Sequence, residues 1–399
     1  MRTGAMIASD SAALRHPSKR RGNLTIEYRT ALSLSAEDAA VLDVIADARP
    51  HVGVFLSHAW LSGFFAEPPR GYQPSLVILR AGGVLRGIVP LAIHQRLTHT
   101  RISLLGGGFG SDRVDLLAAR GYEAACADRV MAWLHSEFRH GYILELRDVP
   151  DDSALWAAIG RAASERPARL VVVPREVYAL PHLQLHDSHD GAVLDGGVAA
   201  SLARHRRWLE RRCHLRIETL TDQDDVMKAF EELTAQLRAR WGRAESALDN
   251  PRLQRFHRHV LPQLLREGRL RMVRLLADMR PVAVFYGLTS RAIDARPRGP
   301  MAKRWWGYYL AGYDRAWAGR IHLGRVALAA AIELAVKDGA SEFDFLKGPE
   351  PVKYLWPVRE RITVDADVYS CALGPRLTCA ARTARTAFGA LVRSVHDPK

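Results

Sequence analysis

The stretch from Arg304 to Trp356 constrains the fold of this chain more than any other part of its sequence. Residues 305–310 form a strand-like run, and a glycine-bearing turn leads from them into a long segment, 323–337, whose apolar residues recur at helical spacing. Gly339 ends this predicted helix, and residues 342–346 follow at once as a second strand. The order of strand, turn, helix and strand predicts an α/β unit here.

The start of that helix carries the residues expected of a phosphate site. Gly319 lies just before the helix and Gly324 in its first turn, where backbone N–H groups have no partner within the helix. These free donors and the helix dipole attract a phosphate, and Arg320 and Arg325 would strengthen the attraction. We therefore predict that Gly319, Arg320, Gly324 and Arg325 bind a phosphorylated cofactor. The other interpretation is a plain helix terminus, which many α/β proteins contain without a ligand.

Length and composition set the broad class. The chain has 399 residues, which is long for a single core, so two domains are expected. Its 48% hydrophobic and 25% charged residues are typical of a globular protein, and no apolar window reaches the roughly 18 residues of a membrane span. The four cysteines form no CxxC pair and no cluster with histidines, so we expect no disulfide framework, no metal site and a cytoplasmic location.

The net charge of +14 favours anionic partners. Nucleic acid, phospholipid and a cofactor of the coenzyme A type all fit this charge. An arginine-rich composition without functional meaning gives the same excess, and both interpretations stay open.

The same order of elements occurs twice along the chain. A predicted hairpin at 75–94 is followed by a strand, a helix and a strand, and a second hairpin at 270–289 is followed by the same elements. We therefore predict two similar α/β units in tandem. The predicted boundaries are 1–23 for a disordered basic tail, 24–190 for the first unit, 191–373 for the second unit and 374–399 for a basic C-terminal tail. Single helices are also predicted at 54–65 and 202–216, and a short strand at 170–173.

Several segments of the second half together match a known pattern. They are Arg240-Trp241, Tyr309-x3-Tyr313-Asp314 and the run from Glu342 to Glu350, which closes with Lys353 and Trp356. With these segments the chain resembles the CelD-like acetyltransferases of the GNAT superfamily, which are associated with cellulose and exopolysaccharide gene clusters and are related to FemAB-like peptidyltransferases.

The resemblance implies an α/β protein of tandem GNAT-like units, each a mixed, mostly antiparallel sheet flanked by helices. It also implies that the first unit is degenerate and that the second unit is active. The implied cosubstrate is acetyl-CoA or another acyl-CoA, without a metal.

The same segments supply the residues expected to carry acyl transfer. Glu350 and Asp344 are the carboxylates predicted to act as general base, and Tyr313 is predicted to protonate the leaving thiolate. The residues predicted to bind the acceptor are Lys353, Arg240, Trp241 and Trp356. Structural roles remain open for each: Asp344 as a salt bridge to Lys353 or to an arginine, Lys353 as a lock on its loop, Glu350 as a solvated carboxylate and Tyr313 as a core aromatic.

We expect an acyl-CoA-dependent N- or O-acyltransferase that acts on an amino sugar, a polysaccharide precursor or another small acceptor. The arginine-rich helix predicted at 202–216 leaves open a FemAB-like transferase that takes its acyl group from aminoacyl-tRNA. The arginines of residues 374–399 leave open a non-catalytic module whose basic tail binds a membrane or a regulatory partner.

Overall fold

One mixed sheet runs through the part of the chain that the structure describes. The computed structural model describes residues 23–165, 170–185, 196–241, 247–290, 304–317, 322–348 and 350–383. The strands are β1 (Thr25–Arg29), β2 (Gln73–Ala81), β3 (Val84–Gln95), β4 (Thr100–Leu104), β5 (Leu117–Ala118), β6 (Tyr142–Pro150), β7 (Leu170–Gln184), β8 (Leu215–Leu220), β9 (Leu270–Ala277), β10 (Arg280–Thr289), β11 (Trp305–Tyr313), β12 (Glu342–Asp344) and β13 (Arg359–Ser370). Within these ranges they lie in the order β1-β2-β3-β4-β6-β13-β7-β12-β11-β10-β9-β8, and β5 pairs with β3.

Helices flank the sheet on both halves of the chain. They are α1 (Ala36–Ala48), α2 (Pro50–Gly53), α3 (His58–Ala66), α4 (Glu123–Glu137), α5 (Ala154–Glu165), α6 (Gly196–Glu210), α7 (Gln223–Trp241), α8 (Pro251–Arg266) and α9 (Leu323–Lys337). Residues 373–383, the first part of the predicted C-terminal tail, are also helical. The predicted mixed, mostly antiparallel sheet with flanking helices is confirmed.

The tandem arrangement is visible as a repeated order of elements. In the first half, the hairpin β2–β3 turns through Gly82 and Gly83, whose positive φ angles suit glycine, and is followed by β4, α4 and β6. In the second half, the hairpin β9–β10 is followed by β11, α9 and β12. The strands on either side of the repeated helix are parallel, β4 with β6 and β11 with β12, whereas their other neighbours are antiparallel.

The two halves exchange their last strands. β13 comes from the end of the chain but lies between β6 and β7 of the first half. β7, in turn, ends beside β12 of the second half. One sheet therefore spans both halves. The predicted boundary at residue 190 falls in 186–195, outside the described residues.

A shared apolar core fixes the two halves against each other. Helices α1, α3, α7 and α8 contribute to it, and the rings of Phe64 in α3 and Phe256 in α8 lie 4.4 Å apart. A Cβ at Gly63 would lie 2.4 Å from a methyl group of Val260, so glycine is needed for this close approach of α3 to α8. Further cores lie under α4 and α5 in the first half and under α6 and α9 in the second.

Three predicted elements differ most from the structure. The helix predicted at 54–65 is split, because the Ser57 side chain accepts a hydrogen bond from the Trp60 N–H and starts α3 anew. The helix predicted at 202–216 ends at Glu210, and Arg216 lies in β8. The strand predicted at 170–173 extends to Gln184, since β13 and β12 give it partners far away in the sequence.

In the described part of the chain, no helix combines the length and the apolar character needed to cross a bilayer. The cysteines are free thiols, and the described residues contain no group of three or more His, Cys, Asp or Glu side chains that could hold a metal ion.

Candidate functional site

A cavity of about 670 Å³ opens where β11 and β12 separate. The two strands pair only as far as Gly307 and Asp344, and residues 308–313 of β11 then line the cavity. Tyr309 is the extra residue of a β-bulge against β10, which bends β11 at this point. Strand separation and the bulge together expose one edge of β11 to a ligand.

The first turn of α9 forms one wall of this cavity. Its N-cap residue, His322, makes no side-chain hydrogen bond to the helix, and Gly324 and Arg325 line the cavity. A Cβ at Gly324 would lie 3.1 Å from Cε1 of Tyr313, so glycine lets the tyrosine ring approach the helix closely. A helix terminus with free N–H groups and an arginine at a cavity is suited to bind a phosphate.

Six of the predicted site residues meet at this cavity. They are Tyr313, Gly324, Arg325, Glu350, Lys353 and Arg240. The guanidinium of Arg240 lies 4.8 Å from the centre of the Tyr313 ring, a cation–π contact. Trp241 is the last residue of α7. Trp356 is buried and packs at 5.7 Å against Phe345, which lines the cavity. Gly319 and Arg320 lie outside the described residues.

Lys353 holds the loop that follows β12. Its buried Nζ donates hydrogen bonds to the carbonyl oxygens of Leu346, Lys347 and Gly348 at 3.4, 2.9 and 3.2 Å. It also pairs with Glu350 at 2.9 Å, so the partner of Lys353 is Glu350 and not Asp344. A Cβ at Gly348 would lie 2.4 Å from Oε2 of Glu350, and the backbone there has a φ of +127°. Glycine at this position therefore allows the Glu350 carboxylate to turn back over the loop.

Asp344 is buried in an ion pair that joins the two halves. Arg113 donates to its two oxygens at 2.6 and 3.3 Å, and the indole N–H of Trp305 and the N–H of Leu346 donate at 3.1 and 2.9 Å. Burial by itself raises the pKa of Asp344, but the charges of Arg113 and Arg361 outweigh it and hold the pKa at about 2. Asp344 does not line the cavity among the described residues; it takes the arginine-paired structural position.

Asp112 is a cavity carboxylate that the sequence interpretation missed. It comes from the loop after β4 in the first half, and its Oδ2 accepts a hydrogen bond from the Lys347 N–H at 2.9 Å. Burial raises the pKa of Asp112 to about 6, and the nearby charge of Asp148 contributes to the increase. A carboxylate directly after a glycine-rich turn was the available signal, since such loops collect functional residues.

Two tyrosines of β11 complete the wall near Asp112. The hydroxyl of Tyr309 donates to the carbonyl oxygen of Gly110 at 2.7 Å and so joins β11 to the loop that carries Asp112. Burial raises the pKa of both Tyr308 and Tyr309, so both phenols stay protonated at neutral pH. The cavity thus combines a helix end suited to a phosphate, phenol hydroxyls and a carboxyl group whose pKa is raised to about 6.

Residues 197–354 match the family model of an acetyltransferase (GNAT) domain. This stretch contains β11, α9, β12 and the Lys353 loop, which together form most of the cavity. The match over this stretch, which is less than half of the chain, supports an acyltransferase.

Solved structures with a TM-score of 0.51 share the fold over most of the chain. A conserved protein of unknown function from Bacteroides thetaiotaomicron is 10% identical, with a TM-score of 0.51 over 87% of this chain and 99% of its own. The C-terminal DUF2156 domain assigned to a lysylphosphatidylglycerol synthetase of Agrobacterium fabrum is 11% identical, with a TM-score of 0.51 over 88% and 96%. A tandem GNAT protein from the clavulanic acid biosynthesis pathway is 15% identical, with a TM-score of 0.44 over 87% and 99%. No curated protein matches the sequence.

Proposed function

We propose that this protein transfers an acyl group from acetyl-CoA or another acyl-CoA to an amine or hydroxyl of a small acceptor. The observation that carries the proposal is the cavity between β11 and α9, which offers the first turn of a helix, Gly324 and Arg325 to an anionic ligand. The pyrophosphate of coenzyme A would lie at this helix end. Its pantetheine arm would follow the edge of β11 that β12 leaves open.

The groups of the cavity suit each part of the transfer. The acceptor nitrogen or oxygen attacks the thioester carbonyl, a bond to the acyl carbon forms, and the carbon–sulfur bond breaks. Asp112 takes the proton of the acceptor, because a carboxyl group with a pKa of about 6 is ionised at neutral pH and still basic. Tyr313, which lies against the start of α9, gives its proton to the departing thiolate.

Glu350 is the second carboxylate of the cavity and the other possible base. It is paired with Lys353 at 2.9 Å, whose hydrogen bonds hold the surrounding loop. We therefore assign Glu350 and Lys353 to shaping the acceptor side of the cavity. The resemblance to CelD-like enzymes favours an amino sugar or a polysaccharide precursor as the acceptor, and it implies that Arg240 and Trp241 bind it.

Calorimetric titration of the full chain with coenzyme A and acetyl-CoA tests the donor site. The Gly324→Leu variant directs a side chain at Tyr313, so we expect its affinity to fall at least tenfold. Gly160→Leu is the matched control, because nothing lies within 4 Å of a Cβ at that position. Saturable binding that both variants retain equally would refute the site, and absence of binding at millimolar ligand would refute the acyl-CoA proposal.

A second proposed donor is aminoacyl-tRNA, as in FemAB-like transferases. The observation in its favour is the row of exposed arginines on and just after α6, among them Arg204, Arg207 and Arg211. Binding of tRNA through these residues would weaken steeply with salt. A mobility-shift titration at two salt concentrations separates the two donors, since a triple change of these arginines to glutamine should abolish a tRNA shift and leave coenzyme A binding intact.

A further inference from the structure

A second cavity, of about 270 Å³, lies in the first half of the chain. It opens where β4 and β6 separate after Ser103 and Glu145, which is the counterpart of the point where β11 and β12 separate. Phe109 and Arg252 line this second cavity, and the residues that follow them in the chain, Gly110 and Leu253, line the first. The two cavities therefore share a wall.

Ion pairs fill the strand separation in the first half. Arg101 binds both oxygens of Glu145 at 2.6 and 2.8 Å, and Arg147 pairs with Asp367 at 2.6 Å. Arg382 bridges Glu145 and Asp367 at 3.3 and 3.1 Å. These side chains stand where a pantetheine arm would pass between the strands. The second cavity is therefore suited to a small group and not to an acyl-CoA.

Among the described residues, one cation of the second cavity, Arg252, forms no ion pair. Arg252 donates through Nε to the backbone oxygen of Glu67 at 2.9 Å, and its guanidinium lies 4.0 Å from the centre of the Phe109 ring. Its Nη2 is buried and makes no hydrogen bond to any described residue, and the same holds for Nε of Arg101. In the described part of the chain, the carboxylate of Glu67 forms its ion pair with Arg255 instead, at 2.9 Å.

The physical consequence is a demand for an anion. Burial lowers the pKa of Arg252 by more than the nearby charge of Glu67 raises it, which means that the charged guanidinium has lost hydration without full compensation. An oxyanion that accepts hydrogen bonds from Nη2 would restore that compensation through a charge-assisted contact. The Phe109 ring holds the guanidinium plane in place for it.

We propose that the second cavity binds an oxyanion of the acceptor, a phosphate monoester or a carboxylate, through Arg252 and Arg101. The acceptor's nucleophile would then extend past Phe109 and Gly110 to Asp112 in the first cavity. The role as an acceptor subsite rests on the proposed acyl transfer, whereas the anion binding does not.

Titration of inorganic phosphate, and separately of acetate, into the full chain saturated with coenzyme A tests the anion site. We expect one saturable phosphate or acetate site that weakens at least tenfold in Arg252→Gln. Arg255→Gln is the control: Arg255 lies three residues further along α8, pairs with Glu67 at 2.9 Å, and its loss should leave the wild-type affinity unchanged. Equal affinity in wild type and Arg252→Gln, or no binding at tens of millimolar anion, would overturn the proposal.

Two further measurements keep the outcomes separate. If coenzyme A does not bind, the phosphate titration is repeated in Arg325→Gln, which removes the Arg325 cation of the first cavity. Loss of phosphate binding in the double variant with Arg252→Gln then still supports the anion site. If circular dichroism shows that Arg252→Gln does not fold, Arg252→Lys replaces it, because lysine keeps the charge but lacks the guanidinium Nη2. Unchanged phosphate affinity in Arg252→Lys counts against the proposal. A comparison of acyl transfer to glucosamine 6-phosphate and to glucosamine then tests whether the anion belongs to the acceptor. Arg252→Gln should raise KM for the phosphorylated acceptor alone. An equal rise of KM for both acceptors would overturn the subsite.

Discussion

The ion pair between Arg113 and Asp344 gives the sharpest test of how the two halves hold together. Both side chains are almost fully buried, with exposed fractions of 1% and 0%. Replacing Arg113 with methionine keeps the apolar stem but leaves the Asp344 carboxylate in the core without its main counterion. Removal of one partner of a buried pair costs about 3–5 kcal/mol.

The surroundings of Asp344 place the expected loss at the lower end of that range. After the change, Asp344 still accepts hydrogen bonds from Trp305 and Leu346, and Arg361 stays 3.6 Å away. We therefore expect Arg113→Met to lower the free energy of unfolding by about 3 kcal/mol at neutral pH. Arg161→Met is the control, because its pair with Asp128 is about half exposed and should contribute well under 1 kcal/mol.

Urea denaturation at pH 7 and near pH 4.5 measures both the loss and its cause. In the wild type the Asp344 pKa is about 2, below its unfolded value, so this carboxylate's stabilisation is complete above pH ~4 and is lost as pH falls towards 2. Without Arg113, burial raises the pKa, protonation relieves the unpaired charge, and the deficit should shrink as pH falls. An equal loss in Arg113→Met and Arg161→Met, or a deficit independent of pH, would refute this reasoning.

Three further changes test the cavity itself. Asp112→Asn should lower kcat at least a hundredfold and remove the ionisation near pH 6 that accompanies the rise of kcat/KM with pH. Glu350→Gln should keep that ionisation. The reverse pattern in pH-rate profiles would make Glu350 the base. Lys353→Met removes the shared hydrogen-bond donor of three carbonyl oxygens and should lower the free energy of unfolding, measured by thermal denaturation, by about 2–3 kcal/mol. A decrease below about 0.5 kcal/mol would argue against a role of Lys353 in holding the loop. Gly348→Ala should displace the Glu350 carboxylate and raise KM for the acceptor several-fold in steady-state assays, with KM for acetyl-CoA unchanged; equal effects on both would place the loop on the donor side.

Local sequence signals recovered the elements whose partners are close in the chain. The apolar periodicity of residues 323–337 predicted α9 with both ends correct, and Gly82-Gly83 predicted the hairpin of β2 and β3. β7 was predicted at about a quarter of its length. Its valines and polar residues alternate poorly, and its pairing with β13 depends on residues 177 to 200 positions away. Ser57 shows that a local contact can also be missed. Its side chain caps the start of α3 and so divides the apolar run 54–65, which periodicity alone predicts as one helix.

The candidate site divides in the same way. Gly324, Arg325, Tyr313, Glu350 and Lys353 lie in one stretch of sequence. The predicted helix start led to Gly324 and Arg325, and the resemblance of the stretch led to Tyr313, Glu350 and Lys353. Asp112 escaped because its position is held by a hydrogen bond from the Lys347 N–H and its pKa is raised by burial, and neither is visible around residue 112.

The sequence by itself determined the class of the protein, since strand and helix periods, glycine turns and the run from Glu342 to Glu350 are local properties of the chain. Only the tertiary structure decided which carboxylate faces the cavity and which is buried. Asp344 ends a strand and Asp112 lies in a loop. Arg113 neutralises Asp344 in the core, while Asp112 lines the cavity with its pKa raised. Charge pairing and desolvation depend on distances in space, and sequence spacing does not contain them.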